Sequence, residues 1–136
     1  LKGLEWDTLM KNNKFDIDLK YGKERESKVA SLLIADKDKV EVKTERDWWH
    51  KTGNIAIEVE CFGKPSGLSV TKADYWVHIL ATGKQDYCKL VFDVPKLKQI
   101  VERFKDNFRM IGDYNKSKCI LIPLAELFKN VERSKQ

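Results

Sequence analysis

The stretch from Lys39 to Gly67 reads KVEVKTERDWWHKTGNIAIEVECFGKPSG, and its alternation decides the fold class. In Asn54–Phe62 (NIAIEVECF), Ile55, Ile57, Val59 and Cys61 share one face at a period of two. Ala56, Glu58, Glu60 and Phe62 share the other, the pattern of a β-strand. Lys39–Thr44 (KVEVKT) repeats it in short form, with Val40 and Val42 facing one way and Glu41 and Lys43 the other. The loop ERDWWHKTG joins the two, and GKPSG (Gly63–Gly67) breaks the second strand.

Working outward, residues 1–11 are weakly helical. Phe15, Ile17, Leu19 and Tyr21 then alternate with charged residues, which predicts an extended segment. From Gly22 to Ala35, Val29, Leu32 and Leu33 form a helical apolar stripe, and Glu24 pairs with Lys28 one turn on. Downstream, Tyr75–Leu80 and Tyr87–Val94 predict strands. Pro95 opens a helix carrying Leu97, Ile100, Val101, Phe104 and Phe108. A strand over Cys119–Ile122 and a short helix after Pro123 (Leu124, Leu127, Phe128, Val131) complete the chain. The expectation is one α/β domain, a mixed central sheet of four to five strands flanked by helices. Residues 1–20 read as an N-terminal extension, 21–80 as the motif-bearing core, and 81–136 as C-terminal strands and helices.

Composition narrows the class of function. The 136 residues are 42% hydrophobic and 35% charged, enough for one core and an ample solvated surface. Aromatics at 10%, with apolar positions along the whole length, argue against disorder. No apolar run approaches the roughly 18 residues that a membrane span requires, and no secretory signal opens the chain. The chain opens on Leu, so a natural start is expected to lie outside it. Cys61, Cys88 and Cys119 stand far apart with no Cys-x-x-Cys pair, the pattern of reduced core thiols in a cytoplasmic protein. The net charge of +5 is unevenly placed: residues 1–68 balance 13 basic against 13 acidic side chains, whereas residues 69–136 carry 13 against 8. A basic half beside a half rich in carboxylates suits an enzyme that handles a polyanion; an ordinary basic surface gives the same count.

Four carboxylates occupy unusual positions. Glu26 lies on the edge of the first helix's stripe, Glu41 is central in a short strand, and Glu58 and Glu60 fall in the most apolar segment. Glu is depleted in strands, and a buried carboxylate is costly unless a cation satisfies it. If the two strands pair across the Arg46–Gly53 loop, Glu41, Lys43, Glu58 and Glu60 converge on one face. Oxygen-only ligands would then favour Mg²⁺ or Mn²⁺, which polarise a phosphoryl oxygen and activate water. The alternative is the solvated face of a hairpin, with Lys43 as a cross-strand partner.

The segments GKERESKVASLL, KVEVKTE, IAIEVECFGKPSG and TKADYWVHI together resemble the PD-(D/E)XK nuclease superfamily, the restriction-endonuclease-like fold. The string TGNIAIEVECFGKPSGLSVTKADYWV is similar to small phage-encoded endonucleases of this class. The resemblance covers about residues 20–80. It implies a Mg²⁺- or Mn²⁺-dependent endodeoxyribonuclease in which Glu26 is the helix acid and Glu58 the first acid of the (D/E)XK strand. Glu41 is the preferred "PD" acid, with Asp38 as the alternative. Glu60 stands where the motif has lysine, and Lys43 is the candidate for that role. The implied metal set is Glu26, Glu41, Glu58 and Glu60, with Lys43, Glu58 and Glu60 as catalytic residues. A catalytically inactive DNA-binding module on the same fold is the other reading. So small a nuclease often pairs up, so a homodimer acting in the cytoplasm, the host's if phage-encoded, is expected.

Trp48 and Trp49, flanked by Arg46, His50 and Lys51, form a basic-aromatic segment able to stack on unpaired bases of single-stranded or branched DNA. Alternatively, one Trp caps the core and the other packs on the surface. Lys64 and Ser66 in the GKPSG turn, with Lys72, can meet a phosphate. His78, inside a strand, reads as structural, and Lys96, Lys98, Arg103, Lys105 and Arg109 read as a solvated helical face, with an auxiliary DNA-contacting surface as the alternative.

Overall fold

A computed structural model describes residues 13–34, 36 and 39–129. The expectations for residues 1–11, Asp38 and Val131 lie outside them. The chain divides into two compact units, residues 1–36 and residues 37–136.

The first unit holds helix α1, Asn13–Leu33. It takes in Phe15–Tyr21, where an extended segment was expected. The stretch also carries helical spacing: Asp16, Lys20 and Glu24 recur four apart with alternating charge, and Arg25 stacks 4.2 Å from the Tyr21 ring centroid. The period-two reading of four apolar residues gives way to this i,i+4 charge spacing. The expected buried stripe is not buried, for Val29 and Leu33 are 56% and 80% exposed.

The second unit is built from strands β1 (Val40–Arg46), β2 (Asn54–Cys61), β3 (Lys64–Pro65), β4 (Tyr75–Thr82), β5 (Gln85–Asp93), β6 (Phe108–Ile111) and β7 (Ser117–Pro123). Helix α2 (Trp48–Thr52) joins β1 to β2, and helix α3 (Val94–Arg103) follows β5. The α/β class stands as expected, but the strands form two sheets rather than one central sheet. One sheet is three-stranded and mixed, in the order β1-β4-β5; the other is four-stranded and antiparallel, in the order β3-β2-β7-β6.

β1 does not pair with β2. It runs parallel to β4, from Val40 opposite Tyr75 to Arg46 opposite Ala81, while β2 pairs with β7. Parallel pairing needs a crossover, here α2, β2 and β3. Helix α2 enforces this by burying Trp49, whose indole N–H donates to the Ala81 carbonyl at 2.8 Å, so the chain turns away from a hairpin.

Gly83, at φ 58°, turns β4 into β5. Pro95 sits in the first turn of α3, which buries Val94, Leu97 and Val101 at helical spacing. That helix ends at Arg103 and does not reach Phe108. The Asn107 side-chain amide donates to the Leu121 carbonyl at 2.9 Å, and the Leu121 N–H donates to the Asn107 carbonyl at 2.8 Å. Those bonds hand the chain to β7 and make Phe108–Ile111 an edge strand. Among the described residues after Pro123, the chain makes a 3₁₀ turn, Leu124–Glu126, where a helix was expected. The core draws on both sheets and on α2 and α3, with Trp76, Leu80 and Phe92 beside Ile55, Ile57, Ile120 and Ile122.

Candidate functional site

β1 is turned against ordinary strand logic. Glu41, Lys43 and Glu45 lie opposite Trp76, His78 and Leu80, which are 1%, 1% and 3% exposed. Residues paired across a sheet share a face, so the charged side of β1 lies on the face of those buried β4 residues, with Glu45 mostly covered at 16% exposure and Glu41 and Lys43 reaching the rim at 36% and 46%, while Val42, 54% exposed, is on the other face. Such a face persists only if its polar atoms are satisfied. Glu45 Oε1 accepts from His78 Nε2 at 2.6 Å and from the Ala56 N–H at 2.5 Å. Trp76 Nε1 donates to His78 Nδ1 at 3.1 Å. An indole N–H can only donate, so His78 accepts at Nδ1 and donates from Nε2 to the carboxylate. This chain of bonds ties the mixed sheet to β2. His78 is structural, as its place in a strand implied. Glu45 is absent from the sequence-derived site, although it continues the period-two face of Glu41 and Lys43.

Further along the same face, Lys43 Nζ lies 3.5 Å from Glu41 Oε1 and 6.0 Å from the Trp76 ring centroid. Glu41 and Lys43 line a cleft of about 590 Å³ whose other wall is the loop after β3, with Gly67, Thr71 and Lys72. Gly67 brings β2 to this cleft. At φ 52°, a Cβ there would lie 2.3 Å from the Glu58 carbonyl oxygen and 3.1 Å from Glu58 Cβ, so only glycine fits. Glu41 and Glu58 therefore flank Gly67 from two strands that do not pair. The Ser66 hydroxyl donates to Glu58 Oε2 at 3.1 Å, so this serine holds the carboxylate rather than standing free for a phosphate. Lys64 is exposed on β3, opposite Cys61.

Glu60, expected beside Glu58, is set apart from it. A β-bulge between Glu58 and Glu60 sets Glu58 opposite Cys119 and Glu60 opposite Lys118. Consecutive residues of β7 face opposite ways, so the two carboxylates do not share a face as simple alternation predicts. Glu26 is exposed on α1, in the other unit. Among the described residues, no group of three or more His, Cys, Asp or Glu side chains could hold one metal ion. Of the carboxylates expected as ligands, Glu41 lines the cleft, and Glu58 meets Gly67 through its backbone and Cβ, its carboxylate held by Ser66. One or two carboxylates are too few for a preformed cage; Mg²⁺ is commonly bound by that number together with water and substrate phosphate. Burial, followed by the Glu58 and Glu45 carboxylates, pushes the Cys119 thiol from its ordinary 9.0 up to about 11.

The basic-aromatic segment divides. Trp49 is 8% exposed and belongs to the core, so it is withdrawn from the nucleic-acid-contacting set. Trp48 is 66% exposed, and Lys51 Nζ lies 5.6 Å from its ring centroid. Of the supposed helical bases, Arg109 stands on β6, Arg103 donates to the Lys129 carbonyl at 2.7 Å, and Lys105 pairs with Glu102 at 3.1 Å. No helix among the described residues is long and apolar enough to cross a membrane. Comparison with protein-family models, with curated proteins and with solved structures returned no match.

Proposed function

We propose that this protein is a metal-dependent nuclease that hydrolyses DNA phosphodiester bonds in the cleft between β1 and the Gly67–Ala73 loop. The observation that carries the reading is the meeting of Glu41 and Lys43 with Lys72 across that cleft, with Glu58 behind Gly67. The resemblance of residues 20–80 to the PD-(D/E)XK superfamily supports it. In that reading Glu58 is the (D/E)XK acid, Glu41 the second acid, and Lys43 takes the role of the missing lysine.

The chain's own groups have distinct parts. Lys72, exposed on the loop, attracts the phosphate. Lys43, steered by Glu41 at 3.5 Å, orients the attacking water and counters charge that builds on the phosphoryl oxygens. Ser66 fixes the rotamer of Glu58. Glu41 and Glu58 are the residues that would hold Mg²⁺ or Mn²⁺, and such an ion supplies polarisation of the phosphoryl oxygen and a lowered pKa for water. Cys61, Cys88 and Cys119 are free thiols, which suits work in a reducing cytoplasm. A second copy would present the same cleft to the other strand of a duplex.

The test is incubation with supercoiled plasmid and single-stranded circular DNA in Mg²⁺, Mn²⁺ or EDTA, beside Glu41→Gln and Lys43→Ala. Nicking that needs the metal and falls by about a hundredfold or more in both variants is expected. A non-catalytic DNA-binding module is the second reading, favoured by the lack of a three-ligand group among the described residues. Folded wild-type protein that binds DNA in EDTA and never nicks it selects that module and overturns the nuclease.

A further inference from the structure

We infer that a second cleft, between α2 and the β6–β7 edge, takes an unpaired nucleotide, which makes a single-stranded or frayed strand the substrate. This deepens the reading that the protein acts on nucleic acid and rests on it. The cleft, about 440 Å³, is floored by Ala56 and Leu121 and walled by Arg46, Trp48 and Arg109.

Three observations point to such a ligand. First, Trp48 holds a large ring out of the core at 66% exposure, on a turn anchored by the Thr52 hydroxyl donating to its carbonyl at 2.8 Å. An exposed indole beside an apolar floor is a stacking surface for a base. Second, Arg46 and Arg109 arrive from different strands, and neither has an ion-pair or side-chain hydrogen-bond partner among the described residues. Guanidinium groups left unpaired in a concavity await an anion, and the planar fork matches a phosphate. Third, Glu45, the one carboxylate among the described residues that line the cleft, turns an oxygen to His78 and the Ala56 N–H and forms no ion pair with either arginine.

Aromatic face, apolar floor and two free cations are the parts of a site for base and backbone together. A base locked in a duplex stack offers no face to an indole, so the occupant is unpaired. Sequence reading anticipated Trp48 and Arg46. Arg109 belongs to the basic face that the sequence offers as an auxiliary DNA contact, and its place on β6 rather than a helix is what brings it to this cleft.

The test is fluorescence anisotropy of the full chain in EDTA with a labelled oligothymidine strand and with a labelled duplex of the same length. Wild type is expected to favour the strand by about tenfold or more, and Trp48→Ala to lose that preference while Trp48→Phe keeps most of it. Arg46→Ala and Arg109→Ala should each lower the slope of log affinity against log salt by about 0.7. Equal affinity for strand and duplex, or Trp48→Ala indistinguishable from wild type, overturns the inference. Loss of plasmid nicking with strand preference intact would remove the nuclease reading alone and support this one. Metal-dependent nicking without strand preference would do the reverse.

Discussion

Replacing Glu45 by alanine tests the bond network that joins the two sheets. The side chain is 16% exposed, and its Oε1 serves two donors at once, His78 Nε2 at 2.6 Å and the Ala56 N–H at 2.5 Å. Truncation leaves both without an acceptor, and the His78 side chain is only 2% exposed, so water reaches it poorly. A hydrogen bond to a charged group contributes about 1.5–3 kcal/mol, and a buried donor left unsatisfied costs a similar amount. Taking each donor near the low end, because the vacated carboxylate position borders solvent, Glu45→Ala should cost about 3 kcal/mol. At about 4 °C per kcal/mol for a unit of this size, the melting temperature falls by about 12 °C. Glu45→Gln keeps an acceptor oxygen in place and should cost only about 1 kcal/mol. Urea unfolding, followed by circular dichroism and by tryptophan fluorescence, measures both. Glu102→Ala, which breaks an exposed pair with Lys105, serves as the control and should leave the midpoint unmoved. The reasoning fails if Glu45→Ala lies within about 0.5 kcal/mol of wild type, the range of an ordinary surface change. It fails equally if alanine and glutamine cost the same.

Gly67→Ala should destabilise by at least about 2 kcal/mol, since φ is 52° and the new methyl would sit 2.3 Å from a backbone oxygen; a urea midpoint near wild type would refute the close approach. Trp49→Phe loses the indole bond to Ala81 and part of a buried ring, about 1–2 kcal/mol in the same assay. Cys119 titrates at about 11 in the fold against an ordinary 9.0, so the folded state keeps a proton that the unfolded chain gives up. Stability should therefore fall as pH rises from about 9 through 11, and denaturation curves of Cys119→Ala across that window should lack this part of the slope.

Much of the candidate site was legible because its signals are local. The strand character of NIAIEVEC and YWVHIL, the Pro95 helix start, the turn at GKPSG and the opposed placement of Glu41 and Lys43 against Val40 and Val42 follow from periods of two and 3.6 and from the backbone demands of Gly and Pro. These features need only neighbours within a few residues. The helix over Phe15–Tyr21 was locally encoded too, in its i,i+4 pairs, but a four-residue apolar alternation obscured it.

Tertiary structure alone decided who pairs with whom. That β1 lies beside β4 rather than β2 depends on contacts between residues 40–46 and 75–82 and on Trp49 entering the core, and no period in either strand records the choice. The bulge that parts Glu58 from Glu60 is a mismatch of residue count between β2 and β7, so neither strand's pattern can announce it. Glu45 gains its role from His78, 33 residues away, and Arg109 gains its place from the Asn107–Leu121 bonds that open β6. Local sequence determined which residues are helical, extended or turned, because those preferences are set by short-range sterics and burial. The clefts and the charged face of β1 arise from long-range packing, where the free energy of a residue depends on a partner that the chain brings in from elsewhere.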